Sequence, residues 1–82
     1  MDKIIEMTPS HIRLRFEDKS VTIEGEAYAR GYGNPDFVVY KNSIQRWDPP
    51  FDGVLIDEDT KDKILAELTA EMSKEKITIE IE

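Results

Sequence analysis

The stretch that decides the fold is HIRLRFEDKSVTIEGEA, residues 11–27. Ile12, Leu14 and Phe16 alternate with His11, Arg13 and Arg15, the pattern of a strand with one face buried. After Glu17-Asp18-Lys19-Ser20 the alternation resumes. Val21, Ile23 and Ala27 lie on one side, with Gly25 among them, and Thr22, Glu24, Glu26 and Tyr28 lie on the other. Folding back about Asp18 and Lys19 sets Leu14 opposite Ile23 and Phe16 opposite Val21. The polar sides then agree, with Arg13 opposite Glu24 and His11 opposite Glu26. Cross-strand pairs of this kind are each worth from a few tenths to about 1 kcal/mol. The turn lacks the Asn-Gly or Asp-Gly that a tight primed turn prefers, so its type stays open.

Working outward, Lys3 to Met7 forms a short strand ended by Thr8-Pro9-Ser10, and an edge position suits it. On the other side, Arg30-Gly31-Tyr32-Gly33-Asn34-Pro35 is a loop by composition. Phe37-Val38-Val39-Tyr40 is short, β-rich and apolar throughout, which reads as a central strand covered on both faces. Asn42 or Ser43 can cap one or two helical turns through Ile44 to Trp47, which must stop before Pro49-Pro50. Asp48 to Gly53 is then an irregular loop. Asp57 suits an N-cap, Glu58 and Asp59 complement the helix dipole, and Ile64, Leu65, Leu68 and Met72 fall on one stripe. The helix ends around Ser73 to Glu75. Ile77, Ile79 and Ile81 then restart period two as a closing strand. The chain therefore predicts one α+β domain over residues 1–82. It is a small two-layer unit, a mainly antiparallel sheet with one amphipathic helix packed on one face.

Composition narrows the function. Eighty-two residues allow one modest core. Eleven basic against eighteen acidic residues give a net charge of −7, the opposite of a nucleic-acid binder's footprint. The acid is concentrated in residues 42–82, which hold five basic and eleven acidic residues. Cysteine is absent, so thiolate metal sites, disulfides and thiol catalysis are excluded, in keeping with a reducing compartment. No stretch has signal-peptide character or the roughly 18 apolar residues of a membrane span, and a cytoplasmic chain without membrane contact is expected.

Few residue patterns point to chemistry. Pro35-Asp36 followed by Asp59-Thr60-Lys61 matches a loose metal-nuclease signature, in which two carboxylates hold a divalent ion and a lysine orients water. That chemistry needs the second carboxylate on a strand beside the first, whereas Asp59 falls in the first turn of a helix. The plainer reading has Asp36 opening a strand, Asp59 serving the helix dipole and Lys61 solvated. A calcium loop starting at Asp57 fails at its glycine and glutamate positions, where Asp62 and Leu68 stand. His11 has no second histidine to work with and reads as a surface residue of a strand's polar face. Gly31-Tyr32-Gly33-Asn34 reads as a turn rather than a phosphate loop, because a strand and not a helix follows it. No cofactor, metal or catalytic residue is assigned.

Trp47-Asp48-Pro49-Pro50-Phe51-Asp52 is more informative, because aromatic rings alternate with acids in a proline-stiffened loop. Ordering such a segment on binding costs little entropy. Trp and Tyr are enriched among binding hot spots, and Tyr28, Tyr32, Trp47 and Phe51 lie in or beside loops. The competing reading has Trp47 and Phe51 plugging the end of a small core. The candidate partner-binding set is Tyr32, Asp36, Trp47, Asp48, Phe51 and Asp52.

Several blocks of the chain resemble one family. They are Gly25-Glu26, the run Pro35-Asp36-Phe37-Val38-Val39-Tyr40-Lys41-Asn42-Ser43-Ile44, then Trp47-Asp48-Pro49-Pro50, and the closing Thr78-Ile79-Glu80-Ile81. Together they resemble the immunity protein 74 family of bacterial polymorphic toxin systems. The resemblance implies a cytoplasmic antitoxin that binds and inhibits a cognate bacterial toxin, without catalysis or cofactor, and Asp36, Trp47 and Asp48 are its pattern residues. An acidic surface fits a toxin with a basic cleft, such as a nuclease. Two other classes compete. A self-associating domain would pair as a homodimer through the strands at Lys3 to Met7 and Ile77 to Ile81, whereas the antitoxin itself is expected as a monomer or homodimer. A small metal-dependent hydrolase would use Asp36, Asp59 and Lys61.

Overall fold

The structure is a computed structural model and describes residues 3–28 and 35–82. Five strands form one sheet in sequence order. They are β1 (Ile4–Thr8), β2 (His11–Phe16), β3 (Lys19–Ala27), β4 (Phe37–Val39) and β5 (Ile79–Ile81). β1 to β4 pair antiparallel with their neighbours, and β5 joins β4 in parallel. A parallel partner requires a crossover. Here it carries a 3-10 turn at Lys41–Ser43 and the helix α1 (Glu58–Lys74). The α+β two-layer reading therefore holds, with β1 at one edge and β5 at the other.

The layers meet in one apolar cluster. Ile12, Leu14, Val21, Ile23, Phe37 and Val39 from the sheet pack against Ile64, Leu65, Leu68 and Met72 of α1, with Ile44, Trp47 and Ile56 closing one end. Full burial of such a side chain contributes about 1.5–3 kcal/mol. The Asp57 carboxylate accepts the Thr60 N–H at 2.7 Å and caps α1. Lys74 lies in the last turn, and Lys76, beyond it, takes a positive φ of 59°. Val38 alternates away from the cluster yet is only 2% exposed, so β4 is covered on both faces as its apolar run predicts.

Three local expectations are corrected. The β2–β3 hairpin pairs Leu14 with Val21, Arg13 with Thr22 and His11 with Glu24, two residues from the expected register. A turn of only Glu17 and Asp18 closes it, with Glu17 at a φ of 58° that loop composition does not announce. An even shift returns every side chain to its original face, so the core assignment survives. The turn after β4 is shorter and earlier than a helix through Trp47, because Ser43 turns back instead. Its Oγ donates to the Tyr40 carbonyl and accepts the Glu24 N–H. Lys61 is not solvated. It is 9% exposed, with its ammonium 3.0 Å from Glu58 at the helix surface.

Candidate functional site

β4 covers β3 only from Gly25 to Ala27, so the earlier half of that β3 edge needs other partners. The segment after β4 supplies them. Tyr40 N–H donates to the Glu24 carbonyl at 2.8 Å, and Asp48 N–H donates to the Ser20 carbonyl at 2.9 Å. Trp47 and Asp48 thereby straddle the sheet edge, since successive side chains of an extended segment point to opposite sides. The Trp47 indole enters the core, 8% exposed, stacked on Phe16 with ring centroids 6.0 Å apart. The Asp48 carboxylate reaches the opposite face. There it accepts from the Ser20 and Thr22 hydroxyls, both at 2.8 Å, and from Arg13 Nε at 3.4 Å.

The loop beyond is held by its own backbone. Pro49-Pro50 is a cis peptide, and Phe51 N–H donates to the Asp48 carbonyl. Arg46 and Leu55 form a bridge, and Ile56 N–H donates to the Gln45 carbonyl. Phe51, Val54 and Leu55 are exposed at 37%, 49% and 68%. The Lys19 ammonium lies 5.0 Å from the Phe51 ring centroid, a cation–π distance. Trp47, Asp48, Phe51 and Asp52 are thus brought together, with the first two turned inward and the last two presented. Asp36 lies apart. Its carboxylate accepts the Thr78 N–H at 2.9 Å and its own N–H donates to the Thr78 carbonyl, which joins the starts of β4 and β5. Tyr32 lies outside the described residues.

A second surface lies on the sheet face opposite α1. Tyr28 and Tyr40 are exposed there beside Glu26, and the Tyr40 hydroxyl donates to the Glu26 carboxylate at 3.3 Å. The Glu26 charge, with smaller contributions from partial burial, Glu82 and Glu80, raises the Tyr28 pKa. Loss of hydration raises that of Tyr40, reinforced by its bond to Glu26 and by the charges of Glu26 and Glu82. Glu26, Glu80 and Glu82 therefore act on one pair of rings from β3 and the β5 end. Their alternation in sequence, glutamates on the polar side of both strands, is the signal that locates this face. Val54 and Leu55 carried no comparable signal, because exposed apolar residues in a loop have no periodicity to read.

Among the described residues no three His, Asp or Glu side chains gather as a metal site, and Asp59 lies in the first turn of α1. No described helix is long and apolar enough to cross a membrane. What the surfaces offer is contact chemistry: exposed rings, paired acids and a stiffened loop. No curated protein and no solved structure matches the chain. The family model of immunity protein 74 matches residues 4–82, nearly the full length, and the chain belongs to the immunity protein 74 family.

Proposed function

We propose that the protein is a cytoplasmic immunity protein of a polymorphic toxin system that neutralises a cognate toxin by binding it, without turnover of its own. The carrying observation is the match to the immunity family over residues 4–82. The charge of −7 and the acidic, tyrosine-bearing sheet face support a toxin whose functional cleft is basic, as in a nuclease. Such a surface speeds encounter by steering and then denies the cleft to its substrate. In this reading Phe51 and Asp52 touch the toxin, while Trp47, Asp48 and Asp36 hold the contact surfaces in place. Tyr32 joins the contacts on its chemistry alone.

The test is co-expression with the toxin domain that the tagged chain retains from its native bacterium. Growth is restored by the intact chain and lost when the chain is omitted. If no toxin is neutralised, the reading fails. Association rates measured against salt test the steering separately. A steep fall as salt rises supports a basic cleft, and a flat response removes it while leaving neutralisation intact.

A further inference from the structure

The two edges of the sheet differ in how they are finished. β1 carries a register irregularity between Ile4 and Glu6, and Lys3 before it pairs with Glu67 of α1. Bulges and charges are the usual protection of an edge. β5 has neither an irregularity nor a covering strand among the described residues.

Its hydrogen bonding shows which groups are left over. The Thr78 carbonyl accepts from Phe37 N–H at 3.2 Å, Glu82 N–H donates to the Val39 carbonyl at 2.8 Å, and the Glu82 carbonyl accepts from Lys41 N–H. Even-numbered residues therefore serve β4. By the alternation of a parallel ladder, the N–H and C=O of Ile79 and Ile81 point outward.

Side chains at this edge are sorted as clearly. On the helix side Ile81, 43% exposed, borders a groove with Leu65, Ala66, Thr69 and Ala70 of α1, where the small side chains of Ala66, Thr69 and Ala70 leave room above the helix. Lys41 closes one end of the groove, 3.5 Å from Asp62. On the opposite side Glu80 and Glu82 face Tyr28 together with Glu26. An added strand would meet apolar surface on one face and three carboxylates on the other.

We propose that the outer edge of β5, with the groove it shares with α1, receives by strand addition an extended segment of the partner protein in which apolar and basic residues alternate. Backbone bonds to Ile79 and Ile81 supply register, the groove takes the apolar side chains, and Glu80 and Glu82 take the basic ones. A second copy of this chain is the wrong occupant. Pairing Ile79 with Ile81, or Ile81 with itself, sets Glu80 opposite Glu80 or Glu82, and like charges placed so destabilise the pair. The register centred on Ile79 runs back to Ile77, whose N–H is already given to the Met72 carbonyl.

This proposal deepens the toxin-binding reading and rests on it. Its test uses the full chain and a synthetic octapeptide of alternating lysine and valine, followed by amide hydrogen exchange and NMR shifts. At a peptide concentration ten times its Kd, exchange at Ile79 and Ile81 is expected to slow about tenfold. Shifts should concentrate in β5 and in residues 65–70. The effect should vanish with a glutamate-valine peptide, and in I81P, whose outward N–H is removed at a position where an edge strand tolerates proline. The E80K/E82K double variant, which leaves the backbone untouched, should lose it as well should I81P fail to fold.

Unchanged exchange at millimolar lysine-valine peptide overturns the proposal, as do shifts centred on β1 or on residues 47–55. Slowing that follows protein concentration without peptide also overturns it, in favour of self-pairing. The co-expression assay distinguishes the two failures: a chain that still neutralises its toxin as E80K/E82K keeps the immunity role and loses this edge as its site.

Discussion

Asp48 is bound twice to Ser20: its N–H donates to the Ser20 carbonyl at 2.9 Å, and its carboxylate accepts the Ser20 hydroxyl at 2.8 Å. With Thr22 and Arg13 on the same carboxylate, a residue of the aromatic-acid loop becomes the seam between that loop and β3. Asp48→Ala leaves two hydroxyls without their acceptor. A loss of about 1–3 kcal/mol is expected, read as a lower urea midpoint at unchanged slope. Asp48→Asn keeps an acceptor oxygen and should cost less. If the alanine variant unfolds at the parent midpoint, the seam contributes nothing.

Trp47 supports the fold from the other side of the same edge, so its truncation should act on stability before it acts on any partner. Trp47→Ala empties the space beside Phe16 and should cost about 3–5 kcal/mol, a large share of the stability of so small a domain. Trp47→Phe fills most of that space. It should restore both the melting temperature and toxin neutralisation. Recovery of stability without neutralisation would instead give the indole a direct contact with the toxin.

The contrast between these two residues shows what the sequence could and could not say. Period-two alternation in residues 11–27 and 77–81 placed the core face, and Asp57 with the stripe Ile64, Leu65, Leu68 and Met72 placed the helix, because burial imposes a period on the chain. The hairpin register slipped by two since both registers bury the same side chains, and only the tight turn at Glu17 separates them. Trp47-Asp48 was legible as a special pair but not as an edge clamp. That role depends on β4 stopping short along β3, a length no local pattern encodes.

Gly25 is a position where the fold admits no side chain. An added Cβ would lie 2.2 Å from the Val38 carbonyl oxygen and 2.4 Å from Phe37 Cε1. The oxygen belongs to the paired strand and cannot rotate away, so Gly25→Ala must part β3 from β4. Overpacking of a core typically costs about 1–3 kcal/mol, and with backbone on one side about 3 kcal/mol or more is expected. Circular dichroism should show a sharply lowered melting temperature. Gly53, where a Cβ meets nothing within 4 Å, serves as the control, and Gly53→Ala should melt close to the parent.

Tyr28 and Tyr40 provide a direct reading of the acidic face. Their phenols are held above the ordinary value of 10.0, with Glu26 the leading charge on Tyr28 and burial leading at Tyr40. Glu26→Gln removes that charge and should move both titrations down. A folded pKa raised above the unfolded one means that the unfolded chain releases its proton first as pH rises. The stability linked to these phenols is therefore complete below about pH 10 and declines above it, and Glu26→Gln should make that decline shallower. NMR titration of the two rings with alkaline melting curves checks both halves. Unmoved titrations would mean that Glu26 does not set the field at this face.

Asp57 carries the opposite sign. The Thr60 N–H donated to its carboxylate lowers its pKa below the ordinary 3.8, so the cap is strongest when Asp57 is ionised. Its stabilisation is present above about pH 4 and is lost as pH falls through the depressed folded value. Asp57→Ala should lower stability at neutral pH through loss of the N-cap, and progressively less in acid. Asp57→Asn keeps an acceptor for the Thr60 N–H without a titrating group, so it should retain much of the stability and none of this pH dependence. Urea unfolding at about pH 7 and about pH 3, on either side of the carboxylate's titration, separates the three proteins. A stability gap between the parent and the Asp57→Ala variant that stayed constant into acid would show that the carboxylate's charge is not what the helix start uses.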